Sequence, residues 1–108
     1  MKQVAAAEFE SEVLRSKEPV LVDFFTETCP PCRMMAPVLQ EIETEAQGQF
    51  KVVKVDAGAE MELAASYNVR AVPAFFAFSN GKCVGQTVRA KSKANMKKWF
   101  EESVRASV

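Results

Sequence analysis

Histidine is absent from the 108-residue chain, and cysteine occurs only three times. An odd cysteine count rules out a framework of paired disulfides, and three sulfurs without an imidazole leave a zinc site short of ligands. An excess of one charge is missing too, because fourteen basic and fourteen acidic residues cancel. Without a basic surplus there is no footprint for nucleic acid and no polybasic patch for a membrane surface. No apolar run approaches the ~20 residues that a membrane span requires. The first residues, Met1 to Glu8, reach a glutamate too early for the apolar stretch of a signal peptide. Repeats, low-complexity tracts and interdomain linkers are also lacking. The expectation is a soluble, cytosolic protein of one domain, residues 1–108, long enough to bury a core without metal or disulfide staples.

What the chain does contain is Cys29-Pro30-Pro31-Cys32, placed between two different hydrophobic patterns. Before it, Val20-Leu21-Val22-Asp23-Phe24-Phe25 is rich in β-branched and aromatic residues and reads as a buried strand. After it, Met35, Val38, Leu39 and Ile42 fall at i, i+3, i+4 and i+7, one face of a helix. With Cys29 as N-cap, Pro30 and Pro31 take N1 and N2, where a fixed φ is already helical and a missing N–H costs nothing. The Cys32 N–H then faces the Cys29 sulfur, and the helix N-terminus favours negative charge there. A thiol so placed is expected to titrate low and to exist partly as the reactive thiolate.

In chain order, the pattern alternates. A short strand is expected around Gln3-Val4 and a helix from about Ala6 to Arg15, with Phe9, Val13 and Leu14 inward. Lys17-Glu18-Pro19 leads into the strand Val20–Thr26. The helix behind the cysteines runs to about Ala46, kinked at Pro37 and capped near Gly48. A strand over Phe50–Asp56 and a short helix over Glu60–Tyr67 follow. Ala74–Phe78 reads as another buried strand, joined through Asn80-Gly81, a type I′ signal, to a strand over Cys83–Val88. Ser92 caps a last helix whose Met96, Trp99, Phe100 and Ser103 or Val104 repeat at helical spacing. Such β-α units followed by a hairpin and a helix predict an α/β fold, a mixed sheet covered on both faces.

The chain resembles the thioredoxin family along essentially its whole length. The resemblance is carried by Val20–Phe25, Cys29-Pro30-Pro31-Cys32 through Pro37, Val53-Lys54-Val55-Asp56, Leu63-Ala64 through Arg70, Val72-Pro73, and Phe78 through Lys82. It implies the thioredoxin fold and a protein-disulfide reductase working by thiol–disulfide exchange, with Cys29 as nucleophile and Cys32 as resolving thiol. Asp23 matches the family's buried acid, the proton acceptor for Cys32, and Lys54 the lysine that modulates it. A carboxyl amid apolar neighbours should titrate high, as that role needs. Pro73 matches the cis-proline beside the dithiol, and the Val72 backbone the edge that pairs with substrate. The implied partners are disulfide-containing proteins and a thioredoxin-reductase-type electron donor. No cofactor is implied, since the two sulfurs carry the electrons, and a monomer is expected.

Departures from the family pattern lie around the dithiol. Thr28 stands where a tryptophan is usual, Pro30 replaces a glycine, Ala74 replaces threonine after the proline, and Arg89 replaces a glycine in the docking patch. With Pro31, Thr28, Pro30 and Arg89 are therefore candidate substrate-contact residues, and an altered partner range is expected. Duller readings stand beside these. The cysteine pair could be structural or metal-binding, Asp23 a strand-end cap, Lys54 an edge-strand lysine, and Pro73 a trans strand opener. Cys83 is read as a packing residue of the core or sheet edge rather than a regulatory thiol, and Arg33 as a solvated helix residue. Competing functions are a disulfide oxidant or isomerase and a non-catalytic interaction module.

Overall fold

In the computed structural model, which describes residues 1–107, the run Val20–Phe25 forms β2, the middle strand of a five-stranded sheet. The other strands are β1 (Lys2–Gln3), β3 (Lys51–Asp56), β4 (Ala74–Ser79) and β5 (Lys82–Val88), and the sheet order is β1-β3-β2-β4-β5. β3 runs parallel to both β1 and β2, whereas β4 is antiparallel to β2 and β5. The sheet is therefore mixed, as the pattern of units predicts.

Period-two alternation distributes the side chains of the central strands between two cores. Val20, Val22 and Phe24, with Val53, Val55, Phe76 and Phe78, face the first helix, α1 (Ala6–Phe9 continuing as a π turn through Leu14), and α3 (Met61–Ser66). Leu21, Val52, Phe75 and Ala77 face α2 (Pro30–Ala46) and α4 (Lys93–Ala106), meeting Met35, Leu39, Ile42, Met96 and Phe100. Burying a leucine such as Leu39 completely is worth about 1.5–3 kcal/mol. On this second face the alternation also places Asp23 on β2 and Lys54 on β3, directly opposite each other.

Several local details differ from expectation. β1 is Lys2–Gln3 rather than Gln3-Val4, because Val4 leaves the strand to enter the core while its N–H still donates to the Lys54 carbonyl. The first helix does not stay α-helical to Arg15; it widens after Phe9, and the Arg15 N–H donates to the carbonyl of Glu10, five residues back. Helix α2 crosses Pro37 without interruption. Its left-handed C-cap is Gln47 (φ 49°), with Gly48 the residue after it. Strand β3 begins at Lys51, one residue beyond Phe50, and Glu60 and Tyr67 cap α3 rather than belong to it. The Asn80-Gly81 turn has φ values of 53° and 79°, as type I′ requires. Cys83 lies on the outer strand β5 but is exposed, so the core-packing reading of it is wrong. Trp99 is half-buried against the α2–α4 core.

Candidate active site

Strand β2 ends at Phe25 and α2 starts at Pro30, so the two cysteines sit at the handover from the sheet to a helix N-terminus. Cys29 is the N-cap in extended conformation, with the prolines at the first two helical positions. The Cys32 N–H donates to Cys29 Sγ at 3.2 Å. The cysteines form a disulfide with their Cα atoms 5.2 Å apart, and both are buried. Because Pro30 and Pro31 carry no N–H, Cys32 supplies the first backbone donor of the helix to this sulfur.

Beneath the dithiol lies Asp23, 3 % exposed, whose Oδ1 has no hydrogen-bond partner. Its mid-strand position removes the capping alternative. Burial pushes its carboxyl from 3.8 up to about 7, against the opposing pull of the Lys54 charge. Lys54 is not on an edge, since β3 is flanked by β1 and β2. Its ammonium lies 5.3 Å from the centre of the Phe25 ring. A cleft of about 200 Å³ opens among Asp23, Phe25, Cys32, Arg33, Ala36 and Lys54. Water thus has a route to the carboxyl and to the second cysteine.

On the other side, the Val72–Pro73 peptide bond is cis and Pro73 is buried, so the trans strand-opener reading fails. The Pro73 carbonyl accepts a hydrogen bond from the Arg89 N–H at 3.2 Å. This bond ties the loop after β5 to the turn beside β4.

The profile of the thioredoxin family matches residues 1–102. The chain belongs to the thioredoxin family. Relatives include Thioredoxin 1 of Nostoc sp., 40 % identical over 100 residues, 93 % of this chain and 94 % of that one. Thioredoxin C-2 of Corynebacterium nephridii is 38 % identical over 96 residues, 89 % of each chain. The bifunctional thioredoxin reductase/thioredoxin of Mycobacterium leprae is 42 % identical over 92 residues, 85 % of this chain but 20 % of that longer protein. With its paired cysteines, this thioredoxin is a thiol–disulfide oxidoreductase of the protein-disulfide-reductase type.

The departures from the thioredoxin pattern map onto the rim of the dithiol. Thr28 and Pro30 are exposed, and Ala74 is buried opposite Val88. Arg89, also exposed, has φ 75°, the left-handed backbone that a glycine adopts without strain. Two contacts escaped the sequence reading. Phe25, under the Lys54 ammonium, could have been found from alternation, since it shares a face with Asp23. Arg33 is an exposed residue of α2, as expected, and its Nη2 also donates to the Glu27 carbonyl at 2.6 Å, bridging α2 to the turn before Cys29. No periodic signal links positions six apart across a strand–helix turn.

Proposed function

We propose that this thioredoxin reduces protein disulfides with Cys29 as the attacking sulfur, Cys32 as the resolving one and Asp23 as the proton acceptor. The observation that carries the assignment is the Cys32 N–H held 3.2 Å from Cys29 Sγ at a helix N-terminus. That donor and the helix dipole favour a thiolate at Cys29. In the reduced protein, Cys29 thiolate attacks one sulfur of the substrate disulfide, forms a mixed disulfide and releases the other sulfur as a thiolate, which takes up a proton. Cys32 then loses its proton to Asp23, directly or through water in the cleft, and attacks Cys29 Sγ. The substrate's remaining sulfur departs and is protonated. Two electrons have moved to the substrate, and the Cys29–Cys32 disulfide remains. An acid titrating near 7 suits this step, because it can hold and release a proton near neutral pH. Lys54 sets how readily Asp23 ionises. The Val72 backbone and Pro73 receive the substrate segment, and Thr28, Pro30, Pro31 and Arg89 border it.

Reuse of the protein requires re-reduction, and the electron donor we assign is of thioredoxin-reductase type; the mycobacterial relative's name joins both activities. A dithiol that must be returned to the reduced state, and an exposed free Cys83, both suit the reducing cytosol. We read the chain as one domain acting as a monomer. The test is dithiothreitol-driven reduction of the interchain disulfides of insulin, followed as turbidity. Catalysis is expected with the natural chain and is lost in Cys29→Ser, while Cys32→Ser accumulates a mixed disulfide on Cys29. No acceleration over dithiothreitol alone with the natural chain would leave the interaction-module reading, and unchanged catalysis in Cys29→Ser would overturn Cys29 as the attacking sulfur.

A further inference from the structure

The rim of the dithiol carries an uneven share of positive charge for a chain whose net charge is zero. On the α2 side, the Arg33 guanidinium is folded over the turn before Cys29 by its bond to the Glu27 carbonyl. On the approach to β4, exposed Arg70 borders a cleft of about 400 Å³ together with Thr26 and Val72. On the third side, Arg89 is joined through its N–H to the Pro73 carbonyl, and the Lys91 ammonium donates to the Val88 carbonyl at 3.0 Å. Arg89, Lys91 and Lys98 also line a cleft of about 670 Å³ beside Trp99.

The acids nearby, Glu27, Asp56 and Glu102, offset only part of this charge. Asp56 turns Oδ1 onto the N–H groups of Gly58 and Ala59, and Glu102 shares its cleft with Lys98. Glu27 is exposed and bonds Arg33 through its backbone carbonyl, so its carboxylate remains as one negative charge against Arg33, Arg70, Arg89 and Lys91. Elsewhere charge is paired, as where Lys93 and Lys97 meet Glu45 between α4 and α2. A segment laid along Val72 and Pro73 would run between Arg70, whose Nε also donates to Asn68 Oδ1, and the stretch from Arg89 to Lys91 that is bonded to the Pro73 carbonyl.

We propose that this rim selects protein disulfides whose cysteine is flanked on both sides by aspartate or glutamate. The proposal rests on the reductase reading and uses the same exchange chemistry; it adds only the class of substrate. Exposed ion pairs are individually weak, about threefold in rate or affinity each, and are screened by salt. Two flanking acids engaged at once give roughly tenfold preference over a neutral sequence, expressed in KM rather than kcat.

The test uses the full reduced chain and three peptides that carry one cysteine capped as a mixed disulfide with thionitrobenzoate. The flanking residues are aspartate, asparagine or lysine, and chromophore release reports the rate. At low ionic strength the aspartate peptide should react about tenfold faster than the asparagine one, and the lysine peptide slowest. The spread should shrink several-fold in 0.5 M salt. Arg89→Gly, which the positive φ accommodates, should cut the aspartate-to-asparagine ratio about threefold; Arg89→Lys should preserve it. Lys17→Gln, before β2 at the far end of that strand, should leave the ratio unchanged although it removes the same charge. Equal rates for the aspartate and asparagine peptides, or a ratio unaltered by Arg89→Gly, would overturn the charge selection alone. Failure to reduce any peptide would overturn the reductase reading with it.

Discussion

Replacing Asp23 with asparagine should stabilise the protein, by an amount set by pH. In the fold the Asp23 carboxyl titrates near 7, against 3.8 when unperturbed. The folded state therefore binds its proton more tightly than the unfolded chain. The contribution of the neutral carboxyl to stability is complete below pH 3.8 and is lost as pH rises through 7. A gap of about three units, at ~1.4 kcal/mol each, makes the loss about 4 kcal/mol once the group is ionised. Asparagine keeps the shape without the charge. Since Asp23 Oδ1 already lacks a partner, the amide adds little new deficit. Urea unfolding of the oxidised Asp23→Asn protein should show no gain near pH 4, about 2 kcal/mol near pH 5, and about 4 kcal/mol at pH 8. At roughly 4 °C per kcal/mol, the melting temperature at pH 8 rises by about 15 °C. A gain independent of pH, or a loss at pH 8, would show that burial of this carboxylate is not what destabilises the fold. The same variant should resolve its mixed disulfides more slowly, since the acceptor for the Cys32 proton is gone.

Other substitutions test neighbouring parts of the argument. Lys54→Gln removes the charge that favours ionised Asp23, so the Asp23 carboxyl should titrate higher still in an NMR titration; a downward move would contradict the pairing. Arg89→Gly relieves a left-handed backbone costing about 1–2 kcal/mol but adds unfolded-state freedom worth about 0.4–1 kcal/mol. A net gain of up to ~1 kcal/mol is expected in the urea midpoint, and a loss of that size would refute the strain. Gly85→Ala would bring a Cβ within 2.9 Å of Ser103 Cβ on α4. It should destabilise by about 1–3 kcal/mol, with only partial recovery in the double variant carrying Ser103→Ala, which removes the Oγ contact but keeps the Cβ.

Some of this architecture was legible because it depends on short-range patterns. The i, i+3, i+4, i+7 spacing after Cys32 located α2 and its buried face, and the apolar neighbours of Asp23 marked a buried carboxyl, whose link to the dithiol came from the resemblance. Asn80-Gly81 announced the hairpin through the φ values it alone tolerates cheaply. Other features arise from contacts between distant segments. The first helix gives way to a π turn and ends against the hairpin, where a Cβ on Gly81 would approach the Leu14 carbonyl at 2.9 Å. The C-cap of α2 fell on Gln47 rather than on the glycine beside it, a choice of backbone path that propensity does not resolve. Cys83 looked like a packing residue because a free thiol behaves as a small hydrophobe; the exposure comes from its place on the polar outer strand β5. The cis peptide at Pro73 came from family resemblance, since X-Pro pairs of either isomer read alike.

The small cleft beneath the dithiol has a consequence for turnover. Asp23, Phe25, Thr26, Cys32, Arg33 and Lys54 are among its lining residues, whereas the client segment proposed above would lie along Val72 and Pro73. On the proposed mechanism, proton traffic and client docking would use different sides of the site, which meet at Thr26. A bulky client seated there would leave that cleft open to water, so the proton taken up by Asp23 could exchange before the client departs.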